Sequence, residues 1–168
     1  MGIMSSTGKQ DDFKASRNPS VPTEKDWGNY QSDLDQEYAH RLFSGRTNAE
    51  MQPYFRRNPI ERTDELRWMP EVPFRYYMLG FRDFALAGDF ESWGADAASC
   101  FLGLIEEKLK DQPQYITPVL PELLAAIEHV ARNQATYDAD EAIYGSFLEA
   151  EKRIRALYED LGSSSLTP

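Results

Sequence analysis

A single cysteine, Cys100, and two histidines, His40 and His129, are all that this 168-residue chain has of the side chains most used for thiol, metal and neutral-pH proton chemistry. One cysteine excludes an intrachain disulfide, and no zinc-ligand spacing is present. Cys100 falls within an apolar helical pattern and reads as an inert small hydrophobe. Neither histidine belongs to an H-E-x-x-H pair, and Glu128, directly before His129, faces another direction on a helix. A Gly-rich phosphate loop, a Walker lysine and a G-x-S-x-G elbow are all missing. Valine and isoleucine are sparse and never alternate with polar residues, which leaves almost no strand signal. No apolar run approaches the ~20 residues of a membrane span, and the N-terminus lacks the positive-then-apolar order of a secretory signal. These absences predict a cytoplasmic chain without cofactor, metal or catalytic residues. One targeting pattern is present: Met1-Gly2 followed by Ser6 fits the N-myristoylation frame, but Asp11 and Asp12 offset Lys9, Lys14 and Arg17, so no polybasic second anchor accompanies it.

What the chain does have is acid, unevenly placed. The net charge is -10, and residues 91–168 carry six basic against fourteen acidic groups, which accounts for -8 of it. Such a surface repels phosphate backbones and disfavours nucleic acid, while it steers encounter with a basic protein. The eight basic residues between 30 and 90 are all arginines, the side chain suited to bidentate carboxylate pairing. Two of them, Arg75 and Arg82, lie in the densest aromatic stretch, between Trp68 and Trp93, and are expected to neutralise acids of the C-terminal helices.

That stretch predicts the architecture. Phe74, Tyr77, Met78, Phe81, Phe84 and Ala85 share a helical face and Leu79 and Leu86 lie on the other side, so a helix near 74–87 is apolar nearly all round and belongs at the centre. Before it, Leu34, Tyr38 and Leu42 suggest a helix near 30–44 stopped by Gly45. Met51, Tyr54 and Phe55 suggest one near 48–57, shortened or bent by Pro53. Asn58, Pro59 and Glu61 open a third that Pro70 stops. After it, Ser92 stands where a cap would begin a helix lined by Ala98, Phe101, Leu102, Ile105 and Leu109. Thr117-Pro118 opens another, lined by Leu120, Leu123, Leu124, Ile127 and Val130. A last heptad-like run of Ile143, Phe147, Ala150, Ile154, Leu157 and Leu161 follows Asp138 and Glu141, read as a capping box rather than a calcium loop, which would need a glycine at its sixth place. The prediction is an all-α single domain, a bundle or orthogonal array of about six to seven helices over 29–162, between a flexible tail at 1–28 and a frayed end at 163–168.

Function follows from charge and the lack of chemistry. The leading expectation is a non-enzymatic acidic protein-binding domain, of the kind that neutralises a toxin as an immunity or inhibitor protein. Glu149, Glu151, Glu159 and Asp160 would present carboxylates, and Trp68 and Trp93 would serve as aromatic edges. Two alternatives stand beside it. One is a helical-bundle enzyme whose dispersed site gathers Arg75, Arg82, tyrosines and acids. The other is a homo-oligomeric module using the Ile143–Leu161 face.

Overall fold

The computed structural model describes residues 19–165, so the myristoylation frame lies outside the described residues. All regular structure among them is helical. Seven helices of ten residues or more carry the fold: α2 (Leu34–Phe43), α3 (Asn48–Arg57), α4 (Pro59–Trp68), α5 (Glu71–Ala87), α6 (Gly94–Asp111), α8 (Leu120–Arg132) and α10 (Phe147–Ser164). Between and before them lie the four-residue turns α1 (Glu24–Trp27), α7 (Pro113–Ile116) and α9 (Glu141–Tyr144).

Local chemistry sets most of the boundaries. Asp33 accepts from the amides of Asp35 and Gln36 at the start of α2, and Thr47 and Glu50 form a reciprocal capping box on α3. Asn58 caps α4 with Pro59 in its first turn, and Gly88 ends α5 in the left-handed conformation that glycine adopts without strain.

The expected hub is there. α5 packs on α3 and α8, with Phe74, Tyr77, Met78, Phe81 and Phe84 buried. Phe81 stacks on Phe55 of α3 at 5.1 Å and meets Phe101 of α6 edge-on at 5.5 Å, arrangements that the ring quadrupole favours. The Tyr77 hydroxyl points between the carbonyls of Phe43 and Arg46, at 2.5 and 2.8 Å, and shares its one proton between acceptors at and just past the end of α2. Burial raises the Tyr77 phenol well above its ordinary range.

Several local expectations are corrected. In α2 the buried residues are Ala39 and Phe43, while Leu34 and Tyr38 face outward. One residue is a turn of about 100° on a helix, so a spacing of four recurs on neighbouring stripes, and packing on α4 chose the adjacent one. Ser92 does not cap α6. Trp93 occupies that position, after a turn in which Glu91 takes a φ of 51°. Asp138, at φ 55°, ends a 3-10 turn, and Asp140 is the residue that caps α9. The single C-terminal helix is broken at Gly145, whose φ of 75° reverses the chain before Ser146 caps α10 through the Glu149 amide. Arg75 and Arg82 do not reach C-terminal carboxylates. Arg75 donates to the carbonyls of Gln114 and Tyr115 and pairs with Glu71, and Arg82 pairs with Asp83 and reaches the Glu122 carbonyl. Arg75 closes carbonyls at the end of α7, and Arg82 adds a long contact to a carbonyl in the first turn of α8, partners that a carboxylate-seeking reading overlooks.

The stretch expected to be a tail ends inside the core. Trp27 is 1% exposed, lies edge-on to the His40 ring at 5.2 Å and tilts against Tyr77 at 6.4 Å. At the other end, α10 continues to Ser164.

Candidate functional site

α2 and α4 pack side by side, and their outward stripes enclose a groove of about 620 Å³. α4 buries Pro59, Arg62, Thr63 and Leu66. The 3.6-residue period therefore turns Glu61, Asp64 and Trp68 to solvent on one stripe. From α2 come Asp35 and Tyr38. Trp68 is 50% exposed and Tyr38 59%, and Leu34, one turn before Tyr38, is 73% exposed. Large aromatics are normally drawn inside, so two half-exposed rings on one groove stand out, the Tyr38 ring lying under the Arg41 guanidinium at 5.2 Å.

Carboxylates dominate the walls. Asp35, Glu61, Asp64 and Glu65 line the groove against one base, Arg67. Arg67 is already committed, pairing with Asp64 and with Glu107 at 2.8 Å. Glu65 is spent as well: the buried Arg62 grips both of its oxygens at 2.6 and 3.0 Å. Burial nonetheless holds the Glu65 carboxyl above its ordinary range, outweighing the Arg62 contacts. Glu61 touches Arg62 through one oxygen at 3.2 Å, and Asp35 makes no ion pair among the described residues. Glu61, Asp64 and Asp35 thus keep open acceptor capacity beside two exposed rings.

A second depression of about 430 Å³ lies where the α5–α6 turn meets residues 136–144. Asp89, Glu91, Asp96 and Asp138 line it, with Tyr144 donating to Asp96 at 3.3 Å. Arg56 pairs with Asp89 at 2.9 Å. Among the described residues no three His, Cys, Asp or Glu side chains are grouped to hold a metal ion.

The two histidines and the buried lysine have structural partners. His40 is sandwiched between Tyr30, stacked at 3.6 Å, and Trp27, with its Nε2 2.8 Å from Glu24. Ser44 also donates to Glu24 at 3.3 Å. The carboxylate is the middle member of this trio. A serine nucleophile needs the imidazole in the middle, so the trio has the wrong order for catalysis. His129 lies edge-on to Tyr137 at 6.5 Å. Lys108, 2% exposed, donates to the Arg67 carbonyl at 2.7 Å and to Gln112 at 2.5 Å, over the rings of Phe74 and Tyr115. Burial pushes its ammonium down to about 8.

The residues singled out from the sequence are dispersed. Trp68 lines the α2–α4 groove, whereas Trp93 is half-buried at the start of α6. Glu149 pairs with Lys152 at 2.9 Å, which holds its carboxyl below the ordinary range, and Glu151 pairs with Arg155 at 3.5 Å. Glu159 and Asp160 are exposed further along α10, which lies on α6 and α8. On the face proposed for oligomers, Phe147, Ala150 and Ile154 are buried within the fold, while Ile143 is exposed. The groove acids escaped sequence reading because Asp35 and Glu61 stand 26 positions apart. The available signal was Glu61, Asp64 and Trp68 on one stripe of α4, opposite its buried side. No family model, curated protein or solved structure matches the chain.

Proposed function

We propose that this chain is a non-enzymatic protein-binding domain that captures a basic protein through the α2–α4 groove, in the manner of an immunity or inhibitor protein covering a cationic site. The observation that carries the reading is the joint placement of exposed Trp68 and Tyr38 with the under-used carboxylates of Asp35, Glu61 and Asp64. Aromatic anchors supply contact area, and the surrounding negative field steers a cationic partner and sets its orientation. The net charge of -10 supports the same partner class and opposes nucleic acid. The C-terminal acids contribute field more than contact, since Glu149 and Glu151 are held by bases of their own helix. Against the enzyme alternative, Arg75 and Arg82 are occupied by backbone carbonyls and local acids rather than aimed into a common cavity.

The test is affinity capture with the full chain, followed by association kinetics of the recovered protein at low and high salt. A basic partner is expected, with an association rate that falls about tenfold or more as salt screens the field. Charge reversal by Glu61→Lys and Asp64→Lys should abolish capture, while reversal at Glu149, Glu151, Glu159 and Asp160 should slow association only. A complex insensitive to salt and to Glu61→Lys with Asp64→Lys overturns the reading.

A further inference from the structure

We infer that the α2–α4 groove selects arginine over lysine, seating a partner's guanidinium on the Trp68 face with its N–H edge turned to Asp64 and Glu61. The inference rests on the binding role proposed above and specifies its chemistry. Trp68 is half exposed and has no aromatic or cationic partner among the described residues, so no cation of the fold occupies it. Asp64 and Glu61 precede it by four and seven residues, which places both along the same stripe of α4. Each spends one oxygen on an arginine of its own helix and keeps acceptor sites free.

An open ring bordered by partly used carboxylates suits a planar cation. A guanidinium can lay its face on the indole while its edge donates to two carboxylates at once. An ammonium is a compact, strongly hydrated charge without a planar face or fork, so it gains less from the ring and does not pair bidentately with carboxylates. The fold already lays guanidiniums over aromatic rings internally. The Arg41 guanidinium lies 5.2 Å over the Tyr38 ring, and Arg46 and Arg57 lie over Tyr54 at 5.1 and 5.5 Å. Lys108 also lies over two rings, those of Phe74 and Tyr115, but it is buried and its ammonium donates to an amide and a carbonyl oxygen rather than to carboxylates.

The experiment titrates the full chain with tetra-arginine and tetra-lysine amide peptides of equal charge, reading affinity by calorimetry and location by amide NMR shifts. Tetra-arginine should bind at least about threefold more tightly, the equivalent of one exposed cation–π contact. Its shifts should centre on Tyr38, Asp64 and Trp68. Trp68→Ala should remove the preference and leave lysine binding nearly unchanged. Asp64→Asn and Glu61→Gln should weaken arginine binding more than lysine binding, and unchanged thermal melts would show the variants folded. Equal affinities, or shifts centred on Asp89 and Asp138 or on α10, overturn the arginine selectivity while leaving a basic partner in place. Failure of both peptides to bind overturns the binding role and the selectivity together.

Discussion

Gly80 of α5 lies so close to Asn48 of α3 that a methyl group there would come within 2.2 Å of the Asn48 Oδ1. Asn48 is anchored where it stands, since its Nδ2 donates to the Tyr76 carbonyl at 2.9 Å and its amide reaches the Tyr76 hydroxyl at 3.3 Å. Gln52 adds a bond to the Gly80 carbonyl at 3.1 Å. Gly80→Ala should therefore destabilise the fold by about 1 to 3 kcal/mol in urea unfolding, the usual range for overpacking. Asn48→Ala in the same chain removes the obstruction. The double variant should then lose less than the two single losses added together, and simple additivity would show that the two residues do not meet.

Phe81 and Trp68 should separate stability from binding. Phe81 is fully buried between Phe55 and Phe101, so Phe81→Ala should cost about 3 to 5 kcal/mol. Trp68 is half exposed, and Trp68→Ala should cost about 1 to 2 kcal/mol, clearly less than Phe81→Ala. Chemical denaturation of both variants decides the point, and a large loss for Trp68→Ala would move that residue from the groove to the core.

Trp27 makes the 19–28 segment testable as part of the domain. Its ring is buried against His40 and Tyr77, so Trp27→Ala should cost about 3 to 5 kcal/mol and open the 19–28 segment to protease. Stability unchanged from the parent chain would place the segment outside the core.

Lys108 predicts a pH dependence with a definite sign. Its ammonium titrates at about 8 in the fold against 10.5 ordinarily, because burial disfavours the charged form. Between these values the unfolded chain binds more protons than the folded one, so the Lys108 contribution to stability rises with pH, by at most about 1.4 kcal/mol per unit. It is fully present above 10.5 and lost as pH falls through 8. Cys100 and Tyr77, both raised by burial, contribute with the opposite sign as pH rises past their ordinary values of 9 and 10. Urea unfolding from pH 7.5 to 9, comparing the parent with Lys108→Met, isolates the contribution. The parent should gain stability relative to the variant as pH rises, and parallel curves would show that Lys108 is not the source.

The helices were legible in the sequence wherever their ends carried local chemistry. Asn58-Pro59-Ile60-Glu61 marked the start of α4, and Gly88 the end of α5, because caps and left-handed glycines act within a few residues of themselves. The break at Gly145-Ser146 was legible too, since Ser146 and Glu149 have cap spacing, but the apolar run from Ile143 to Leu161 masked it. Arg75 and Arg82 were misassigned because charge counts rank distant carboxylates first, whereas a guanidinium is equally served by backbone carbonyls and by acids of its own helix.

The sequence by itself determined an all-helical chain with an aromatic helix at its centre, because periodicity, caps and the near absence of alternating β-branched residues act locally. Only the tertiary structure decided which face of α2 is buried. Leu34, Tyr38 and Leu42 form an apolar stripe in the sequence, yet packing on α4 and on the rings of Phe55 and Tyr77 buried Ala39 and Phe43 and left Leu34 and Tyr38 outside. That rotation brings Tyr38 and Asp35 into one groove with Glu61, Asp64 and Trp68. The physical reason is that a stripe's periodicity gives its direction only relative to its own helix axis, and the neighbour that buries it sets the direction in space.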